Sequence, residues 1–146
     1  MSRRLLHFGR GLYASPGYIA ETGTLTSIED LKQHRVAAHS IVDVRESLWR
    51  HDGEAMRNYP ALPTPRWLVN DTTALERIAL SGSGIALIPT FQGENLVSQG
   101  LLVRLLPELE QHGATATLVW PASRHLSPRV RAFIDHAVET MGSTEH

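Results

Sequence analysis

The apolar positions change their spacing along this chain, and the clearest run of elements lies past its midpoint. Trp67-Leu68-Val69 is a short apolar run that fits a buried strand. It ends in Asn70-Asp71-Thr72-Thr73, residue types whose side-chain oxygens accept the free amides of a helix start. Leu75, Ile78 and Ala79 follow at helical spacing, and Gly82 and Gly84 can take the positive φ that stops a helix. Ile85-Ala86-Leu87-Ile88 is then unbroken apolar sequence bounded by Gly84 and Pro89, the pattern of a strand covered on both faces. The order predicted is strand, helix, strand. A short helix from Phe91 to Ser98 ends near Gly100, and Leu101 to Leu105 and Ala116 to Trp120 are further strands. Ser127-Pro128 opens a last helix whose Val130, Phe133, Ile134, Ala137, Val138 and Met141 form one apolar stripe.

The first half is more punctuated. Leu5 to Tyr13 mixes apolar residues with Gly9 and Gly11 and predicts an irregular strand or hairpin. Ser15 caps a short helix with Pro16 at its first position, where a missing amide donor costs nothing. Ser27, with Asp30 three residues on, has the form of a capping box for a second short helix that His34 ends. Arg35 to Ser40 predicts a short strand, and Ile41 to Trp49 fits either a strand or a loop edge. Arg50 to Pro65 is polar and carries Gly53, Pro60, Pro63 and Pro65, which predicts an excursion or turn and not a core element. Helices alternating with short apolar strands make an α/β sandwich with a mainly parallel sheet or sheets.

Composition narrows the class. The 146 residues suffice for one domain, or two small lobes, and 42% hydrophobic with 20% charged residues supports a packed core. Fourteen basic against fifteen acidic residues leave a net charge of -1, without the basic surplus that phosphate-backbone binding uses. The absence of Cys removes disulfides, thiolate metal sites and thiol nucleophiles, and suits a reducing compartment. Apolar runs such as Ile85 to Ile88 fall far short of the ~18 to 20 residues of a membrane span. Met1-Ser2-Arg3-Arg4, followed by His7, Gly9 and Arg10, lacks the apolar stretch of a secretory signal. A cytoplasmic location is expected.

Several motifs invite a chemical reading. Gly9-Arg10-Gly11-Leu12-Tyr13-Ala14 has the spacing of a dinucleotide fingerprint, but Pro16 and Gly17 would break the helix such a motif must open. A strand or turn with permissive glycines explains it, and no cofactor is expected. Gly82-Ser83-Gly84 precedes its strand and reads as a helix-to-strand turn, not as a nucleophile elbow. Among the eight His, the closest pair is His34 and His39, and no metal-ligand spacing emerges. Ser40 with His39 and Asp43 reads as a solvated strand end, so neither catalytic nor metal residues are expected. Trp49, Trp67 and Trp120 fit core or cleft wall, and Arg124, His125, Arg129 and Arg131 fit a solvated face or a partner surface. Asn70 to Thr73 supports two readings: an ordinary cap, or a polar wall at the carboxyl end of a sheet, where open α/β folds bind ligands. Pro89-Thr90 ends the next strand at the same edge.

The ordered set of segments resembles the C-terminal part of the effector-binding domain of LysR-type transcriptional regulators. Ala14-Ser15-Pro16-Gly17-Tyr18 with Gly23 carries the resemblance first, then Ser27-Ile28-Glu29-Asp30-Leu31 with His34. Val69-Asn70-Asp71, Ala74-Leu75 and Gly82 to Pro89 continue it. Leu96, Gly100 to Val103, Leu105-Leu106-Pro107 and Arg124 to Asp135 complete it across almost the whole chain. The resemblance implies an α/β fold like that of type 2 periplasmic binding proteins, with the second subdomain, the C-terminal part of the first, and no N-terminal half. Residues 1-12 would then be a remnant of the first subdomain and a crossover strand. Residues 13-105 would be the second subdomain, and 106-146 the return strand and C-terminal helix of the first. Val130, Phe133 and Ile134 would have less sheet to cover, leaving that face exposed or repacked.

Carried over by position, the resemblance assigns the effector cleft to Ser40, to Asn70, Asp71, Thr72 and Thr73, and to Pro89 and Thr90. It implies a small-molecule effector, expected to be an anionic metabolite, with DNA reached only through a winged helix-turn-helix outside this chain. Partners would be a second copy or a full-length relative, with no membrane. The expected function is therefore non-enzymatic effector sensing. A protein-interaction module that pairs with a full-length relative and a small α/β enzyme are the alternatives.

Overall fold

The structure is a computed structural model and describes residues 1–41, 48–51, 57–58 and 63–141. Strand β1 (Ser2–Ala14) leads into α1 (Pro16–Thr22) and a 3-10 helix (Ile28–Gln33), followed by β2 (Val36–His39), β3 (Leu48–His51) and β4 (Arg57–Asn58). Next come β5 (Trp67–Val69), α2 (Thr72–Leu80), β6 (Ile85–Pro89), α3 (Thr90–Ser98), β7 (Val103–Leu105), β8 (Leu109–Val119) and α4 (Pro128–Met141). The strand order is β4-β3-β8-β1-β6-β2-β5, with β7 also paired to β1. Two compact units result: Gly9–His112, and Met1–Phe8 with Gly113–His146.

Within Gly9–His112 the predicted strand, helix, strand unit is present, and β6 is its centre. All five β6 residues are buried, because alternate side chains enter different cores. Ile85 and Leu87 pack with Leu12, Tyr18, Leu31 and Val36, while Ala86 and Ile88 pack with Tyr13, Ala37, Leu75 and Ala79. Local chemistry fixes the connections. Ser15 Oγ accepts from the Tyr18 amide at 3.1 Å and starts α1, with Pro16 next in the chain. Gly82, at φ +73, closes the turn after α2. Gly84 serves differently from the expectation that it takes positive φ: a Cβ there would lie 2.5 Å from the Arg35 carbonyl oxygen. Its small size lets β6 start against the chain entering β2.

The structure corrects or decides three expectations. The sheet is mixed, not mainly parallel: β2 pairs in parallel with β5 and β6, whereas β1–β6, β1–β7, β3–β4 and β3–β8 are antiparallel. Arg50 to Pro65, expected as an excursion or turn, contains the end of β3 and all of β4, because backbone pairing of β3 with β8 and of β4 with β3 needs no apolar side chains, while Ile41 to Trp49, open between strand and loop edge, ends in β3. Of the two alternatives for Leu5 to Tyr13, the structure has the strand and not the hairpin, as part of one 13-residue element. The Gly9 fingerprint accordingly sits inside a strand and opens no helix.

In the other unit the Met1 amino group donates to the Trp120 carbonyl at 2.9 Å, and the Trp120 amide donates to the Met1 carbonyl at 3.0 Å. Helix α4 buries Ile134, while Val130 and Phe133 stay 41% and 62% exposed. An open cavity of about 490 Å³ is lined by Met1, Trp120, Arg124, Leu126 and Arg131 among others. Arg124, His125, Arg129 and Arg131 are exposed. Among the described residues no helix is long and apolar enough to cross a membrane.

Candidate functional site

The sheet register brings the expected site residues to one edge of the Gly9–His112 unit. Strand β2 lies between β5 and β6 and runs parallel to both, with His39 opposite Val69 and Val36 opposite Ile85. The Ser40 amide extends that pairing by donating to the Val69 carbonyl at 2.8 Å. Carried forward, the same registers set Ser40 level with Asn70 on one side and Pro89 on the other. The carboxyl ends of three adjacent parallel strands thus share one row, where helices α2 and α3 begin.

The residues in the row differ in what they have left to offer. Ser40, Asn70, Asp71 and Thr73 are exposed, Thr72 and Thr90 are half-buried, and Pro89 is buried. The Asp71 carboxylate accepts from the Thr73 amide at 3.0 Å, so it is engaged as the cap of α2. Thr90 Oγ1 donates to the Gly9 carbonyl at 3.4 Å, tying the start of α3 to β1. Pro89 closes β6 and contributes shape, having no side-chain hydrogen-bonding group. Asn70 and Ser40 supply exposed polar side chains, and the first turn of α2 adds backbone N–H groups and the positive end of its dipole.

Sequence reasoning missed a further residue at this edge. Arg10 on β1 is paired directly with Pro89 across the antiparallel β1–β6 ladder, which sets its backbone beside the row and brings the row within reach of a long cationic side chain. Burial lowers its pKa from the ordinary value, and a guanidinium still carries its charge at neutral pH. The signal was an arginine inside a strand otherwise headed for the core, hidden between Gly9 and Gly11.

Other titratable residues hold the fold together. Tyr13 is buried, its hydroxyl donates to Glu94 Oε1 at 2.9 Å, and Arg104 Nη1 lies 2.9 Å from the same oxygen. Burial pushes the Tyr13 phenol up, with the Arg104 charge acting against it. His34 Nδ1 pairs with the Tyr18 hydroxyl at 2.8 Å, and His39 Nδ1 accepts from the Ile41 amide at 3.1 Å. Among the described residues no three His, Cys, Asp or Glu side chains gather to hold a metal. Asp43, considered with Ser40 and His39, lies outside the described residues.

A parallel edge of capped strands and helix starts is the ligand-binding end of many α/β folds, and comparison with known proteins identifies which. Residues 2–142 match the model of the LysR substrate binding domain, and the chain belongs to that family. A curated relative is the HTH-type transcriptional regulator PtxR of Pseudomonas aeruginosa, 32% identical over 142 residues, covering 95% of this chain and 44% of the relative. The chain thus spans less than half the length of that relative. The regulatory domain of CrgA from Neisseria meningitidis, a LysR-type transcriptional regulator, is 26% identical with a TM-score of 0.78 over 97% of this chain and 69% of that one. The full-length virulence activator AphB of Vibrio cholerae superposes with a TM-score of 0.79 at 19% identity, over 97% of this chain and 48% of that one. The fold is that of LysR regulatory domains, which are similar to periplasmic binding proteins.

Proposed function

We propose that this chain senses a small, anionic metabolite at the row formed by Ser40, Asn70, Thr72 and Thr90, and so controls DNA-dependent transcription. The observation that carries the reading is the register that levels Ser40, Asn70 and Pro89 at the carboxyl edge of β2, β5 and β6. Membership of the LysR family supports the sensing role, and the named relatives are transcriptional regulators. Control needs no covalent step. A ligand shifts the population between two arrangements by the difference of its affinities for them. DNA would be reached through a winged helix-turn-helix in the same polypeptide or a partner, in the cytoplasm, as part of an oligomer.

The test is a thermal melt of the chain against carboxylates, amino acids, sugars and amines at millimolar concentration. A ligand that binds only the folded state raises the melting temperature by mass action. The expected result is a rise with one ligand class that Asn70→Ala and Thr72→Ala reduce. Unchanged affinity in both variants would remove the site from Asn70 and Thr72.

A second reading, a module that pairs with a full-length relative, draws on the exposed Val130 and Phe133 of α4. It predicts a mass that grows with concentration, and Phe133→Ser would abolish that growth. A monomer at every concentration would count against it.

A further inference from the structure

The row is chemically asymmetric from end to end. At one end Arg10 pairs with Pro89 on β6. At the other, the Asp71 carboxylate caps the start of α2. Arg10 to Asn70 is three interstrand steps, about 14 Å at the usual strand spacing of about 4.8 Å. An anionic group is therefore attracted to one end and repelled from the other. Large apolar side chains flank the row as well: Ile41, immediately after Ser40, is 76% exposed, and Phe91, immediately after Thr90, is 49% exposed. Exposed apolar surface beside a cation suits a ligand with an apolar body and one charge, not a polyanion.

From this geometry we infer that Arg10 is the charge-recognising residue of the site, binding the carboxylate of a monocarboxylate whose apolar body lies along Ile41 and Phe91. This inference rests on the reading of the row as the effector site and specifies its ligand class. A planar guanidinium matches a carboxylate in bidentate fashion. A guanidinium has five N–H donors, so Arg10 can keep a contact within the protein while it binds a ligand. Asn70, at the far end, offers an amide to a neutral polar substituent. A second carboxylate there would face Asp71.

Matched probes test the assignment: benzoate with benzamide, hexanoate with hexanamide, and adipate as a dicarboxylate. Each is titrated by thermal melt against the unmodified chain, Arg10→Gln, Arg10→Lys and Asn70→Ala. The monocarboxylates are expected to raise the melting temperature of the unmodified chain, with no rise from the amides and less from adipate. Arg10→Gln should weaken carboxylate binding at least about 10-fold, the scale of a charge-assisted hydrogen bond, and Arg10→Lys should restore part of it. Should Arg10→Gln fail to fold, Arg10→Lys and the acid-to-amide comparison on the unmodified chain still decide.

A carboxylate shift that survives Arg10→Gln but is lost in Asn70→Ala overturns the role of Arg10 and leaves the effector site standing. So does stabilisation by amides equal to that by their acids. If sugars or amines raise the melting temperature through Asn70 and carboxylates do not, the ligand class is wrong and the site is right. If no class of metabolite stabilises the chain at all, the effector-site reading itself fails.

Discussion

A methyl group added to Gly93 would lie 2.2 Å from the Tyr13 ring, well inside van der Waals contact. Tyr13 has no slack to yield, because it is buried and its hydroxyl is tied to Glu94, which Arg104 also holds. Gly93→Ala should therefore destabilise the chain by about 1 to 3 kcal/mol, the usual range for overpacking a core, read from the denaturant midpoint. A loss below about 0.5 kcal/mol would show that α3 shifts freely and does not clamp Tyr13. A single residue also separates the α2 cap from the proposed ligand contact at the neighbouring edge. The Asp71 carboxylate caps α2, so Asp71→Ala should lower stability by about 1 kcal/mol, whereas Asn70→Ala should leave it within about 0.5 kcal/mol and reduce ligand binding. Equal stability losses would make Asn70 structural and return the segment to an ordinary cap.

At the scale of elements, hydrogen bonds rather than burial shape the acid response of the 3-10 helix. The half-buried Asp30 carboxylate accepts from the Thr26 amide at 2.9 Å, the Thr26 hydroxyl at 2.9 Å and the Ser27 amide at 3.1 Å. These donors hold its pKa below the ordinary 3.8. A carboxyl depressed in the folded state contributes stability that is complete above its unfolded pKa and is lost as pH falls through the lower, folded value. Asp30→Asn should thus flatten the fall in denaturation midpoint between about pH 5 and pH 2, with little change in its slope at pH 7. An identical acid limb in both proteins would remove Asp30 from the account. The same helix shows what could be read in advance: Ser27 and Asp30 announced its start and His34 its end, because caps act locally. Trp67 to Pro89 was legible for the same reason, each boundary carrying its own polar or glycine signal. The full length of strand β1 was not, since Gly9 and Gly11 left strand and hairpin both open. In the structure they are small because a Cβ at Gly11 would meet the Tyr13 ring at 3.0 Å and one at Gly9 would strike Glu110. Arg10 was lost with them, because its place beside Pro89 follows from the β1–β6 register, a pairing of residues far apart in the chain. Strand β8 starts earlier than Ala116 because Leu109 to Gly113 has little apolar patterning to reveal it.

Across the whole molecule the buried apolar side chains are very unevenly distributed. Among the described residues, every one except Ile134 belongs to Gly9–His112. Local stability follows burial: segments with few buried contacts open at low free energy, and core strands open only with global unfolding. Helix α4 has one buried side chain against solvent on most of its surface, whereas β6 is buried at all five positions between two core clusters. Native-state hydrogen exchange should therefore be slowest for the β6 amides and much faster for those of α4. Denaturant should move the β6 amides in step with the global transition and leave the α4 amides almost unaffected. This order bears directly on sensing. Arg10, Ser40, Asn70 and Pro89 all lie on or next to strands of the well-packed unit, so their spacing is set before a ligand arrives, and little binding energy is spent on ordering them. A ligand seated there should add protection to the peptides that contain Ser40, Asn70 and Pro89 and change α4 little. If instead α4 and β6 exchange at the same rate, the chain opens as one cooperative body. The proposed row would then owe its order to all 146 residues, not to the packing of Gly9–His112.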